Sequence, residues 1–219
     1  MNATESKTGV TLVIPALNEA PSLPELLEET AAALRGLDWN AVIVDDGSTD
    51  DTWRVIRELA GRLPVTGLRF AGNQGKAAAL AAGIARADRE WVATMDADLQ
   101  DDPAEIPGMI RYARENGLQL VSGWKKERHD PAEKTLPSKL FNWAVRRATG
   151  IGLHDFNCGL KLYRRDAAAS LDLYGEMHRY TPVLATMNGF MVGEVQVHHR
   201  PRRHGRSKYG WSRYFRGFS

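Results

Sequence analysis

Four short apolar runs, each emptying into a polar loop and then a helix-length segment, restrict what this chain can fold into. The runs are Thr11–Pro15 (TLVIP), Ala41–Val44 (AVIV), Val65–Phe70 and Trp91–Met95 (WVATM). Helical segments are expected from Ser22, over Asp50–Leu63, over Gly75–Ala87 and over Pro103–Asn116, and a fifth strand over Leu118–Ser122. Ser22 with Glu25 three residues on forms a capping-box pattern, and Leu23, Leu26, Leu27 and Leu34 share one side of the first helix. Strands alternating with helices of about a dozen residues predict an α/β fold, a mostly parallel sheet with helices on both faces. In such sheets ligands bind outside the C-terminal strand ends. The loops there are Pro15–Glu19, Asp45–Ser48, Phe70–Lys76 and Asp96–Asp102, where the polar residues and glycines gather.

The last of these loops is the most demanding. WVATMDADLQDDP opens as a buried strand and then carries Asp96, Asp98, Asp101 and Asp102 within seven positions. Asp102 before Pro103 suits a helix N-cap followed by proline at the first helical position. That leaves Asp96 and Asp98, two apart and so on one side of an extended segment, as carboxylates that repel unless a cation joins them. Hard oxygen ligands suit Mg or Mn, which is usually held by one or two carboxylates plus substrate oxygens. A calcium EF-hand is excluded: counted from Asp96, its sixth position is Asp101 rather than glycine and its twelfth is Pro107 rather than glutamate. Gly72-Asn73-Gln74-Gly75-Lys76 lacks the spacing of an ATPase phosphate loop. Gly75 reads either as the start of a helix whose N–H groups face a nucleotide or as plain close packing. Asp46 in Asp45-Asp46-Gly47-Ser48 reads either as an acceptor for base or ribose or as part of a tight turn.

With 219 residues, 43% hydrophobic and 26% charged, the chain suits one soluble domain. Its single cysteine, Cys158, excludes an internal disulfide and a cysteine-built zinc site. The six histidines contain no HExxH pattern, and His198 and His199 are expected at a strand end or on the surface. No apolar run is long enough to span a bilayer, and Met1–Gly9 lacks the apolar core of a signal peptide. Residues 1–9 are therefore expected as a flexible N-terminus, 10–199 as the folded body and 200–219 as a basic, aromatic segment. Net charge is only +2, yet Arg200–Arg216 holds seven Lys or Arg residues and no acid, which points to an anionic partner. Trp211, Tyr214, Phe215 and Phe218 among those arginines suit a membrane surface. No nucleic-acid module surrounds the basic run, so no nucleic acid is expected. The second half is less regular: a charged loop over Lys125–Lys134, a helix over Leu136–Thr149, a strand over Leu160–Tyr163, a helix over Arg179–Asn188 and a strand over Phe190–His199.

Taken together, PALNE (15–19), VDDGSTDDT (44–52), NQGKAAAL (73–80) and MDADLQDDP (95–103) occur in the order and spacing of family 2 glycosyltransferases. FNCGLKLYRRD (156–166) and HRPRRHGRSKYG (199–210) resemble the polyprenyl-phosphate branch, which acts on dolichyl or undecaprenyl phosphate. The resemblance spans Leu12–Tyr209. It implies a GT-A (Rossmann-like) fold, a nucleotide-sugar donor and a divalent cation, Mg or Mn. It also implies that Asp96, Asp98 and Gln100 hold the metal and that Pro15, Leu17, Glu19 and Asp46 hold base and ribose. Gly75 and Lys76 would approach the donor, and Arg202, Ser207 and Lys208 would close over the diphosphate. Ser138, Lys139, Lys125 and Arg128 would meet the acceptor phosphate, and Asp155 takes the position of a catalytic acid or base. Many relatives carry Gly-Ser-Arg after the fifth strand where this chain has Ser122-Gly123-Trp124-Lys125, so the arginine's role passes to Lys125, Lys126 or Arg128.

The expected activity is transfer of a sugar with inversion from a UDP- or GDP-linked donor to a polyprenyl phosphate, at the cytoplasmic face of a membrane. The alternatives are transfer to a hydroxyl of a saccharide or lipid, and a non-catalytic module that binds nucleotide-sugar or anionic lipid. Nucleotide, sugar, lipid length and oligomeric state, a homo-oligomer included, stay open.

Overall fold

The computed structural model describes residues 7–126, 142 and 145–201. In its first half, strands and helices alternate as β1 (Lys7–Ala16), α1 (Leu23–Ala33), β2 (Trp39–Asp45), α2 (Thr52–Ala60), β3 (Val65–Arg69), α3 (Lys76–Ile84) and β4 (Arg89–Thr94). A 3-10 turn (Pro103–Glu105), α4 (Ile106–Glu115) and β5 (Leu120–Trp124) follow. After residue 144 come a helical stretch over 145–149, β6 (Lys161–Arg164), α5 (Arg165–Ala169), a 3-10 turn (Met177–Arg179), α6 (Thr181–Met187) and β7 (Val192–Gln196). β1 takes in the last three residues, Lys7–Gly9, of the segment expected to be a flexible N-terminus. β5 sits two residues later than expected, because the backbone from Leu118 is first used to close α4 through Leu118 N–H to Ala113 O.

The strands form one seven-stranded sheet in the order β3-β2-β1-β4-β6-β5-β7. β1, β2, β3 and β4 are parallel, as are β5 and β7, while β6 runs antiparallel to both its neighbours. This is the mostly parallel, single-domain α/β fold that the alternation predicts. Successive residues of a strand face opposite sides, and the core divides accordingly. Leu12, Ile14 and Ile43 join Leu23, Leu26, Leu27, Ile56 and Met109 on one face, and Val13 and Val92 join Ala77, Leu80, Ala168 and Ala185 on the other. Each fully buried Leu or Ile contributes about 1.5–3 kcal/mol, so the sheet is a rigid base for the loops at its edge.

Local chemistry departs from expectation at the start of α1. Ser22 lies in the helical region and makes no side-chain cap; its hydroxyl donates to the Glu19 carbonyl and carboxylate, so the capping box with Glu25 does not form. The Glu19 carbonyl also accepts the Ser22 and Leu23 N–H groups, which satisfies the helix entrance from the preceding loop instead. Asp102 does cap as predicted, accepting the Ala104 N–H at 2.9 Å ahead of Pro103. No helix among the described residues is long and apolar enough to cross a membrane.

Candidate active site

The loops after β1 and β2 are sewn into one surface. Asn18, in the left-handed region at φ 53°, accepts the Thr49 N–H on its side-chain oxygen at 2.8 Å, and its own N–H donates to Ser48 Oγ at 2.8 Å. The Glu19 N–H donates to Thr52 Oγ1 at 2.8 Å. Gly47 has φ +75°, and a Cβ there would lie 2.5 Å from the Gly72 carbonyl carbon, so only glycine lets this turn rest on the loop before α3. Asp46 is buried and accepts the N–H groups of Gln74 at 2.7 Å and Gly75 at 3.0 Å. The Gly75 N–H is therefore committed to Asp46. Outside this seam lies an open hollow of about 520 Å3 lined by Gly47, Ser48, Thr49, Arg69, Phe70 and Ala71. The Arg69 guanidinium there is set by Asp45 (3.3 Å) and by the Trp53 ring, 5.7 Å from its centroid.

The acidic tip of β4 forms the centre of the edge. Its loop is held by the Asp96 N–H donating to Asp101 Oδ2 at 3.3 Å and the Gln100 N–H donating to Asp98 Oδ1 at 3.2 Å. Leu99 sits at φ 63°, a conformation that costs a side-chain-bearing residue about 1–2 kcal/mol. Complete burial of its side chain in the core offsets that strain. Asp98 is 9% exposed, whereas the Asp96 side chain is 37% exposed. Gly159 makes room for it: a Cβ there would come within 2.8 Å of Asp96 Oδ2 and 3.0 Å of Asp101 Oδ2. Lys76 Nζ pairs with Asp96 Oδ1 at 2.5 Å. Burial by itself would raise the Asp96 carboxyl, but Lys76, helped by Lys125, overcomes it and holds the group at about 2.

Among the described residues no three His, Cys, Asp or Glu side chains group as a metal cage. The donor set nevertheless fits Mg or Mn, which needs only one or two carboxylates when a substrate supplies further oxygens. Asp96 is accessible, cradled by Gly159 and already attracts a cation in Lys76.

The back of the tip is locked by residues from the second half. Lys125, expected at the acceptor phosphate, is half-buried and paired with Asp101 at 2.7 Å, which keeps its ammonium charged and directed at the acidic loop. His199, expected at a strand end or on the surface, lies just past β7, is 4% exposed and forms a β-bridge with Asp101. Arg200 pairs with Glu29 of α1 (2.5 Å) and Asp102 (2.6 Å), while its N–H donates to the Gln100 carbonyl. Residues 198–200, the root of the basic segment, are thereby fixed to the acidic loop. Asp155 is 1% exposed and accepts the Asn157 N–H at 3.0 Å within its own turn. That turn is pinned to the sheet by His154, which stacks on Trp124 with centroids 4.4 Å apart and pairs with Glu194. Pro15 lies in β1 opposite Val44, and Leu17 and Glu19 border the Asn18 seam. Arg128, Ser138, Lys139, Arg202, Ser207 and Lys208 lie outside the described residues.

A second cavity, of about 260 Å3, opens on the other flank of Asp96, between α3, β4, β6 and the 177–179 turn. Its charged and amide-bearing lining is Lys76, Asp96, Asn157, Lys161, Glu176, His178 and Arg179. Sequence reading passed over Asn157, Lys161, His178 and Arg179. Lys161 carries a usable signal, a lysine at the start of a predicted buried strand, but its address depends on β6 running backwards. Antiparallel pairing puts Lys161 beside Thr94, at the same edge as the tip of β4. Burial lowers its ammonium below the ordinary lysine range, and burial likewise pushes the Cys158 thiol up to about 12, which leaves it unreactive.

Residues 11–171 match the family described as Glycosyl transferase family 2, about three-quarters of the chain. The chain belongs to glycosyl transferase family 2. This family 2 chain is 41% identical over 214 residues to the dodecaprenyl-phosphate galacturonate synthase of Rhizobium johnstonii, covering 94% of the chain and 63% of the relative. It is 40% identical over 204 residues to the undecaprenyl-phosphate 4-deoxy-4-formamido-L-arabinose transferase of Pseudomonas syringae pv. syringae, covering 91% and 60%. It thus spans a little over three-fifths of the length of these curated relatives. Among solved structures, glucosyl-3-phosphoglycerate synthase of Mycobacterium tuberculosis with Mn2+, UDP and phosphoglyceric acid superposes with a TM-score of 0.71 at 21% identity, over 91% of this chain and 72% of that one. The mannosyltransferase PcManGT of Pyrobaculum calidifontis with GDP-Man and Mn2+ gives 0.67 at 22%, over 93% and 59%. At that level of identity the likeness establishes the shared GT-A fold.

Proposed function

We propose that this domain is an inverting, metal-dependent glycosyltransferase that moves a sugar from a UDP- or GDP-linked donor to the phosphate of a polyprenyl phosphate. The reaction takes place at the cytoplasmic face of a membrane, with the basic, aromatic segment 200–219 on the lipid surface. One observation carries the reading: at a single sheet edge of a family 2 chain, the acidic loop after β4 is tied through Arg200 to the root of the basic segment and through Lys76 to the start of α3, where Asp46 holds the loop after β2. The curated relatives, named for dodecaprenyl and undecaprenyl phosphate, support the acceptor.

In the reaction an acceptor phosphate oxygen bonds to the anomeric carbon as the bond from that carbon to the nucleoside diphosphate breaks. Asp96 and Asp98, with Gln100, would hold a divalent cation, and that cation would supply positive charge for the departing diphosphate. Pro15, Leu17 and Glu19 border the base and ribose, and Asp46 shapes that border by fixing the loop before α3. Lys76 approaches the donor beside Asp96. Arg202, Ser207 and Lys208 close over the diphosphate and stabilise the leaving group. Ser138, Lys139 and Arg128 receive the acceptor phosphate, while Lys125 acts on the acid loop through Asp101. A phosphate monoester already carries about −1.5 to −2 charges at neutral pH, so attack requires no proton removal. Asp155, buried in its turn, then shapes the site and need not act as a base.

The test incubates the protein with Mn2+, radiolabelled nucleotide-sugars and a short polyprenyl phosphate. Label that extracts into organic solvent with the lipid is the expected result. Label on a saccharide or lipid hydroxyl, or donor binding without turnover, would overturn the reading.

A further inference from the structure

We propose that the cavity between α3, β4, β6 and the 177–179 turn receives a donor sugar bearing a carboxylate, a uronic acid, and that Lys161 pairs with that carboxylate. The inference rests on the glycosyltransferase reading above and names the class of sugar the same site takes. The curated relatives do not choose it, since their names include one acidic and one neutral sugar.

Lys76 is neutralised by Asp96 at 2.5 Å, and Arg179 by Glu176 at 3.0 Å. Lys161 is 3% exposed and, among the described residues, makes one side-chain hydrogen bond, from Nζ to the Cys158 carbonyl, with no carboxylate in ion-pair contact. An ammonium has three N–H groups to satisfy, and buried charges are ordinarily paired because an unpaired one carries a large desolvation cost. The two carboxylates that line the cavity, Asp96 and Glu176, are engaged by Lys76 and Arg179, so a buried lysine beside them is a site whose contacting anion arrives with the ligand.

Two further buried groups in the same cavity have no hydrogen-bond partner among the described residues, the side-chain oxygen of Asn157 and Nδ1 of His178. Such groups call for an explanation in a folded protein. A sugar ring supplies hydroxyls for them. A neutral ring would still leave Lys161 uncompensated, whereas a ring with a carboxylate satisfies the set.

The volume, about 260 Å3, lies below the roughly 300–1,000 Å3 of pockets for drug-sized ligands and suits a single sugar beside the metal carboxylates. The acceptor phosphate is a poorer occupant. It must remain between the sugar and a long prenyl chain, whereas Lys161 is buried and reached through a small side cavity that suits a terminal group.

The experiment measures binding to the full chain with Mn2+ by calorimetry, using donors matched in base: UDP-galacturonic acid against UDP-galactose, and GDP-mannuronic acid against GDP-mannose, with UDP and GDP as controls. A hydrogen-bonded charge pair predicts a preference of about 10- to 100-fold for the acidic donor of the pair whose base binds. Lys161→Gln is expected to erase that preference while leaving nucleoside diphosphate affinity unchanged, and Lys161→Arg to restore part of it. Lys161→Met, which removes a buried uncompensated charge, is expected to melt no lower than wild type.

Equal affinity for acidic and neutral donors in the wild type overturns the inference and needs no variant. So does a Lys161→Gln variant whose loss falls on the acceptor or on the nucleoside diphosphate. If the enzyme transfers a neutral sugar to polyprenyl phosphate without preference, the inference falls and the proposed function stands. If no nucleotide-sugar binds, both fall.

Discussion

Lys76 and Lys161 flank the tip of β4 in opposite electrostatic situations, the first paired with Asp96 and the second buried with only a backbone carbonyl. A divalent cation arriving at Asp96 has to share that carboxylate with Lys76 or displace it. Asp96→Asn or Asp98→Asn should lower kcat by roughly 10²–10³, the usual cost of losing a charge-stabilising group; wild-type turnover in either variant would remove that pair from the mechanism. Asp155→Asn separates acceptor chemistries: appreciable activity should survive with a phosphate acceptor, while near-total loss with intact donor binding would show that a proton must be removed. His178 gives a pH prediction. Burial, reinforced by Lys76, Arg179 and Lys161, lowers it from 6.5 to about 3. Between those values the unfolded chain binds a proton that the folded protein refuses, so stability present above pH 6.5 declines as the solution is acidified toward 3. Urea midpoints taken at neutral pH and near the middle of that window should drop less in His178→Gln than in wild type. An identical drop would mean that His178 does not titrate as its surroundings imply.

At the scale of elements, the edge works because separate loops share hydrogen bonds rather than because any one loop is rigid. Asp101 links three of them, accepting the Asp96 N–H, pairing with Lys125 after β5 and bridging to His199 after β7. Gly159, just before β6, leaves the space in which the Asp96 carboxylate rests. Gly159→Ala should therefore keep the fold, seen as an unchanged far-UV spectrum, but weaken Mn2+-dependent donor binding; unaltered binding would show that the loop yields freely. The Arg200 pairs are partly solvent-exposed, and such ion pairs contribute at most about 1 kcal/mol to stability. Arg200→Gln should accordingly leave the urea midpoint almost unchanged while reducing turnover, because the root of the basic segment is no longer tied to Asp102. Equal losses of stability and turnover would point to a merely structural clamp.

For the molecule as a whole, one sheet supplies the base and the ligand edge supplies the chemistry, so binding should register as global stabilisation. A donor present at 100 times its Kd adds about 2.7 kcal/mol, which in a domain of this size is roughly 5–11 °C in Tm. Thermal scans with nucleotide-sugar and Mn2+ should show a shift of that order, and EDTA should abolish it. A full shift in the presence of chelator would place the donor's affinity elsewhere than on the acidic tip.

The order of strands and helices, the four ligand loops, the acidic tip and the family were legible in the linear sequence, because periodicity and short motifs report local burial and turn chemistry. The Asp102 cap was legible for the same reason: its partner lies two residues away. The partners of Asp46, Lys125, His199 and Lys161 were not, since each was settled by chain brought in from elsewhere. β6 enters antiparallel between β4 and β5, so that its first residue, rather than its last, reaches the ligand edge. A strand's pattern of burial is the same in either direction, and only pairing with its neighbours decides which end carries a buried lysine to the tip of β4.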